Sequence, residues 1–136
     1  MLNITADVKD FFPYASYRQE QKEVIDRIYL GLSKNKNVVF AAPNGTGKTI
    51  DNLVAVLPFL SQSDESMKII YVCRTHTQNA RVIKEIQKIN EKLREPGTKK
   101  TLKPISAVSL RGRKEMCSNR TVRKIKGTSS TDLMGI

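Results

Sequence analysis

Along the chain, helical apolar stripes alternate with short continuous apolar runs, and the alternation predicts a succession of helices and strands. From Arg18 a 3.6-residue pattern places Val24, Ile25, Ile28, Tyr29 and Leu32 on one stripe, with Arg18, Gln19, Lys22, Glu23 and Asp26 mostly facing water. Val38 to Ala41 is a continuous apolar run, the pattern of a strand buried on both faces. Ile50, Leu53, Val54, Ala55, Val56 and Leu57 then form a helix that is apolar almost all round and must pack deeply. Pro58 lacks a backbone donor, so this helix is expected to end or kink near Leu57. Residues 61–66 read as loop and Lys68 to Cys73 as a second strand. A long helix follows from about Gln78 to Arg94, with Val82, Ile83, Ile86, Ile89 and Leu93 inward, and Glu95-Pro96-Gly97 stops it. Lys103 to Leu110 alternates weakly and is assigned as a third strand. Residues 1–17, closing with Phe11-Phe12-Pro13-Tyr14-Ala15-Ser16-Tyr17, read as an extended lead-in. Beyond Arg111 the chain looks irregular.

Strand, crossover helix and strand in this order imply a right-handed βαβ unit with parallel strands. The expected fold class is therefore α/β. At 136 residues there is room for one domain, able to bury about two-thirds of its unfolded surface. No apolar run approaches the roughly 18 residues that span a bilayer, and Met1 to Phe12 lacks the apolar core of a secretory signal. A soluble intracellular protein with no membrane partner is the expectation. Cys73 and Cys117 lie far apart, with none of the spacing of a zinc site or a disulfide framework.

Charge changes the picture at one end. The formal net charge is +11, and residues 99–136 alone hold ten Lys and Arg against two Asp and Glu. Such a concentration of cations attracts polyanions, nucleic acid above all, by releasing condensed counterions; the same excess also suits a solvated tail.

The candidate chemistry centres on Ala42-Pro43-Asn44-Gly45-Thr46-Gly47-Lys48-Thr49, between the first apolar run and the apolar helix. Glycines let the backbone curl so that its N–H groups cradle phosphate oxygens, Lys48 neutralises them, and the Thr49 hydroxyl is suited to Mg²⁺. The helix that begins there directs its positive dipole end at the same anion. Ala42 stands where the general pattern asks for glycine. Arg74-Thr75-His76-Thr77-Gln78 follows a strand and opens a helix, so that its hydroxyls and N–H groups suit a nucleic-acid phosphate backbone, or simply cap the helix. Cys117, beside Arg111, Arg113 and Lys114, is a thiol whose pKa the cations would lower.

Together, Phe12-Pro13-Tyr14 with Arg18-x-x-Gln21, the Ala42–Thr49 loop, Tyr71 to Gln78 and Leu110 to Cys117 resemble the XPD-like DNA helicases of superfamily 2, in that family's order and approximate spacing. The resemblance covers residues 11–117. It implies a partial RecA-like P-loop NTPase domain, a parallel sheet with flanking helices, in residues 1–110, and the start of an iron–sulfur domain in residues 111–136. It implies ATP and Mg²⁺ as cofactors, with Arg18 and Gln21 at the adenine, whose edge a glutamine amide can meet with a donor and an acceptor at once. Residues 74–78 would hold single-stranded or forked DNA, and Cys117 would be the first ligand of a [4Fe–4S] cluster. The implied activity is ATP-driven 5′ to 3′ unwinding in DNA repair, in a prokaryotic cytoplasm or nucleoid or a eukaryotic nucleus. The family's hydrolytic Asp-Glu pair ends a strand, whereas Asp64-Glu65 precedes one, and no cysteine follows Cys117. On these grounds the chain is expected to be an N-terminal helicase fragment that keeps the nucleotide cradle without the hydrolytic parts. The alternatives are a non-enzymatic module that binds nucleotide and DNA, and an unrelated P-loop NTPase.

Overall fold

The computed structural model describes residues 7–62, 67–98, 102–112 and 116. Arg113, Lys114, Cys117 and the basic C-terminal segment lie outside the described residues. Four helices follow in order: α1 (Val8–Phe11), α2 (Gln21–Ser33), α3 (Lys48–Gln62) and α4 (His76–Leu93).

The lead-in is not wholly extended. Asp7 accepts from Lys9 N while Asp10 reaches back to the Asp7 N–H, and this capping box starts the short α1. Phe11, 1% exposed, and Phe12 are thereby turned into the core. Phe12 stacks on Tyr17 with ring centroids 4.1 Å apart and meets Tyr14 edge-on at 5.6 Å. Lys92 Nζ, from α4, donates to the carbonyls of Lys9 and Phe12 and ties the segment down.

Helix α3 packs against α1, α2 and α4. Its apolar residues therefore find neighbours on several sides, and Leu53, Val54, Ala55 and Leu57 are all buried. From α2 come Ile25 and Ile28, and from α4 Val82, Ile89 and Leu93, as their periodicity requires. Contrary to expectation, α3 continues through Pro58 to Gln62. The proline lies in the last turns, where only one ladder bond is lost, and its ring is fully buried, so packing holds the helix past it. Helix α4 ends as its sequence predicts, before Gly97 at φ 97°.

The three expected strands differ more. Residues 38–41, 68–73 and 103–110 run without helix, yet among the described residues none of them is paired into a β-ladder. Apolar periodicity selects extended backbone; a sheet also needs neighbours whose N–H and C=O groups face it in register. Nor are the runs buried on both faces. Val38, Phe40, Tyr71 and Cys73 pack on the helical core, while Val39 is 96%, Ile70 87% and Val72 86% exposed. The third segment is pinned by side chains instead of by a ladder. Asn90 of α4 accepts from Ile105 N (2.7 Å) and donates to Ile105 O (2.9 Å), and Ser109 Oγ lies 2.8 Å from Asn79 Oδ1.

This division into a closed helical side and an open apolar side predicts unequal costs of truncation. Ile89→Ala, at a position with no exposure, is expected to lower the stability of the chain by about 2–5 kcal/mol in urea unfolding. Ile70→Ala is expected to change it by less than about 0.5 kcal/mol.

Candidate functional site

The loop 42–47 leads directly into α3, and two residues give it its curl. Gly45 and Gly47 adopt φ 86° and 106°, angles that a side chain disfavours. Thr46 Oγ1 donates to Pro43 O (3.0 Å), and Lys48 Nζ donates to Ala42 O (2.8 Å) and Pro43 O (2.6 Å), so the lysine ammonium lies over the loop. Thr49 follows in the first turn of α3, whose N-terminal amides and dipole point to the same place.

The second wall comes from the segment before α2. Arg18 N donates to Gln21 Oε1 (3.0 Å) and Gln21 N donates to Arg18 O (3.1 Å), a reciprocal tie that fixes Gln21 at the start of the helix. The Arg18 guanidinium donates to Gly45 O, and Gln21 Nε2 donates to Asp51 Oδ1 at 2.6 Å. Partners 27 and 30 positions apart in the chain are thus joined by contacts from the start of α2 to the loop and α3. Gln21 and Asp51 are only 5% and 2% exposed. Burial holds the Asp51 carboxyl above the usual carboxylate range, and the Gln21 hydrogen bond with the charges of Arg18 and Lys48 offsets only part of that rise.

A cleft of about 820 Å³ runs between these walls, bordered by Tyr14 to Arg18 and Gln21, by Asn44, Gly45 and Gly47 to Ile50, and by Gln78, Arg81 and Glu85 of α4. Tyr14 is held at its edge: its hydroxyl donates to Glu85 Oε2 (2.6 Å), and Lys88 Nζ donates to the hydroxyl (3.0 Å) from a position 5.0 Å from the ring centroid. The volume suits a ligand of nucleotide size. The loop has the backbone freedom and charge that a triphosphate requires, and Thr49 offers Mg²⁺ a hydroxyl, so both groups fit the residues present.

Arg74 to Gln78 are all exposed at the start of α4. Thr75 is the N-cap, its hydroxyl accepting from Gln78 N (3.2 Å), while Gln78 Oε1 accepts from Arg74 N (3.2 Å) and Thr75 N (3.3 Å). Capping thus employs Thr75 and Gln78, and Arg74, His76 and Thr77 present their side chains to solvent beside it. Cys73 is a half-buried free thiol, and among the described residues no group of three or more His, Cys, Asp or Glu is placed to hold a metal ion.

Residues 18–128 match the DEAD/DEAH box helicase family. The chain belongs to that family. It is 30% identical over 128 residues to the XPD helicase subunit of general transcription and DNA repair factor IIH from Arabidopsis thaliana, which covers 93% of this chain and 16% of that protein. It is 28% identical over 124 residues to the corresponding subunit of Saccharomyces cerevisiae (90% and 16%), and 32% over 75 residues to the ATP-dependent DNA helicase XPD of Sulfolobus acidocaldarius (55% and 12%). The chain thus spans about one-sixth or less of the length of these curated relatives. No solved structure matches it.

As a DEAD/DEAH box helicase domain, the chain contains more at its cleft than its motifs announce. Asp51, Tyr17, Arg81 and Glu85 belong to no motif singled out in the sequence, and the fold brings all of them, with Tyr14 of Phe12-Pro13-Tyr14, to the site or its rim. For Asp51 a signal existed: it is a charged residue on the buried side of a helix otherwise apolar almost all round. Gly45 and Gly47 also differ in surroundings. A Cβ at Gly45 meets nothing within 4 Å, whereas one at Gly47 would overlap Gln21 Nε2 and lie 3.4 Å from Asp51 Oδ1. Gly47→Ala should therefore destabilise the chain by about 1–3 kcal/mol in thermal unfolding, and clearly more than Gly45→Ala, whose cost is backbone strain alone.

Proposed function

We propose that the chain binds ATP with Mg²⁺ in the cleft and is the nucleotide-gripping part of a 5′ to 3′ DNA helicase acting in DNA repair. The observation that carries this reading is the pair of ties from Arg18 to Gly45 and from Gln21 to Asp51, which bring a base-reading element and a phosphate loop to one cleft. The family and its XPD helicase relatives support it. In this reading the 42–47 backbone and the Lys48 ammonium hold the β- and γ-phosphates, Thr49 holds the metal, and Gln21 meets the adenine edge. Mg²⁺, when bound, supplies further neutralisation of the phosphate charge. Arg74, His76 and Thr77 grip DNA phosphates without reading sequence, on the same helix whose Gln78 and Arg81 border the nucleotide.

The rest of the proposal follows the family. The segments 38–41, 68–73 and 103–110 supply the strands of a RecA-like parallel sheet in residues 1–110, and Cys117, in residues 111–136, is the first ligand of a [4Fe–4S] cluster. Single-stranded or forked DNA is the proposed substrate.

Two measurements check the reading. By titration calorimetry, Lys48→Ala is expected to weaken ATP binding by about 10- to 100-fold, the consequence of losing a charge-assisted contact to phosphate; unchanged affinity would refute the site. In fluorescence anisotropy with single-stranded oligonucleotides, Arg74→Ala is expected to weaken binding equally for all sequences. It should also reduce the slope of log K against log salt by about one.

A further inference from the structure

Asp51 takes no part in gripping phosphate, yet its carboxylate is buried against the phosphate loop on the most apolar helix of the chain. Burying an acid there costs stability unless a partner compensates, and the partner is the Gln21 amide. That amide sits between two groups of fixed polarity. The Asp51 carboxylate only accepts, and the Arg18 backbone N–H only donates. One orientation of the carboxamide satisfies both, with Nε2 towards Asp51 at 2.6 Å and Oε1 towards Arg18 N at 3.0 Å. Turned over, it would set Oε1 against the carboxylate and an N–H against an N–H. Both contacts are repulsive, and the one to Asp51 is buried.

A carboxamide has a second N–H and a second lone pair, and Gln21 borders the cleft. We propose that Asp51 is a positioning residue that sets purine selectivity: by locking the Gln21 amide in a single orientation, it makes the cleft prefer a 6-aminopurine nucleotide to a 6-oxopurine one. The inference rests on the reading that Gln21 meets the base. Adenine offers a donor at its 6-amino group beside a ring-nitrogen acceptor, whereas guanine and hypoxanthine offer the reverse, an oxo acceptor beside N1–H. A freely turning amide pairs with either order. A locked one pairs with one order and confronts like with like in the other, and a site built to hydrogen-bond one pattern rejects its reverse.

The test is titration calorimetry of the 136-residue chain with ATP, GTP, ITP and inorganic tripolyphosphate, the last carrying the phosphate contacts without a base. The unmodified chain should bind ATP at least about tenfold more tightly than GTP or ITP, one hydrogen bond's worth of discrimination. In Asp51→Asn, which keeps the volume and whose own amide can turn to match either orientation of Gln21, only the Arg18 N–H still favours one orientation, and the ATP preference should fall by at least about threefold. Any change of charge beside Lys48 affects all of them alike and cancels in the ratio. An ATP preference left undiminished by Asp51→Asn overturns the proposal. So does equal binding of ITP and ATP by the unmodified chain, a result that needs no variant and stands even if Asp51→Asn does not fold. Tripolyphosphate binding that Lys48→Ala abolishes, with no selectivity among the nucleotides, would sink this inference and leave the phosphate site intact. Binding of neither ATP nor tripolyphosphate would sink both.

Discussion

The hydrogen bond between Gln21 and Asp51 joins residues 30 apart in a place from which water is excluded, and much of the site's geometry follows from it. A buried carboxylate and a buried amide satisfy each other only at short range and in one relative orientation, so the start of α2 is held against the first turn of α3. The Arg18 guanidinium reaches the loop carbonyl at Gly45 from the same segment. The loop needs glycine at position 47 because the amide already occupies the space that a side chain there would take. The segment before α2 and the 42–47 loop are thus parts of one packed unit.

Helix α3 carries two demands that pull against each other. Its N-terminus, with Lys48 and Thr49 half-buried, borders the cleft, whereas from Ile50 onward it is the centre of the core. The transition takes a single turn. Burial of Leu53, Val54, Ala55 and Leu57 between three helices fixes the axis along which that terminus points, and it carries the helix through Pro58. A phosphate site at a helix end is only as well aimed as the helix is packed.

Helix α4 connects the cleft with the exposed segment 74–78. Its capping box spends the Thr75 hydroxyl and the Gln78 carbonyl oxygen on local backbone, while Gln78 and Arg81 border the cleft and Glu85 holds Tyr14 at the rim. On the far side, Asn90 and Asn79 hold the 102–110 segment by side-chain bonds. One helix therefore borders the cleft and holds the 102–110 segment as well.

Local chemistry determined much by itself. The 3.6-residue stripes located α2 and α4 to within a few residues and α3 except for its end, the Gly-x-Gly-Lys-Thr spacing identified the loop and the positions where positive φ is needed, and the threonines at 75 and 77 offered a cap, because each of these depends on residues within one or two turns of each other. The conditions that depend on distant neighbours were settled only by the tertiary structure. Periodicity selected extended backbone at 38–41, 68–73 and 103–110, but neither pairing nor burial of Val39, Ile70 and Val72 follows from it, since both require another surface to lie alongside. Likewise the sequence placed Gln21 at a candidate base-reading position and left Asp51 unremarked. Their meeting is long-range, and only packing α2 against α3 turned a charged residue on an apolar helix into the partner that orients the amide.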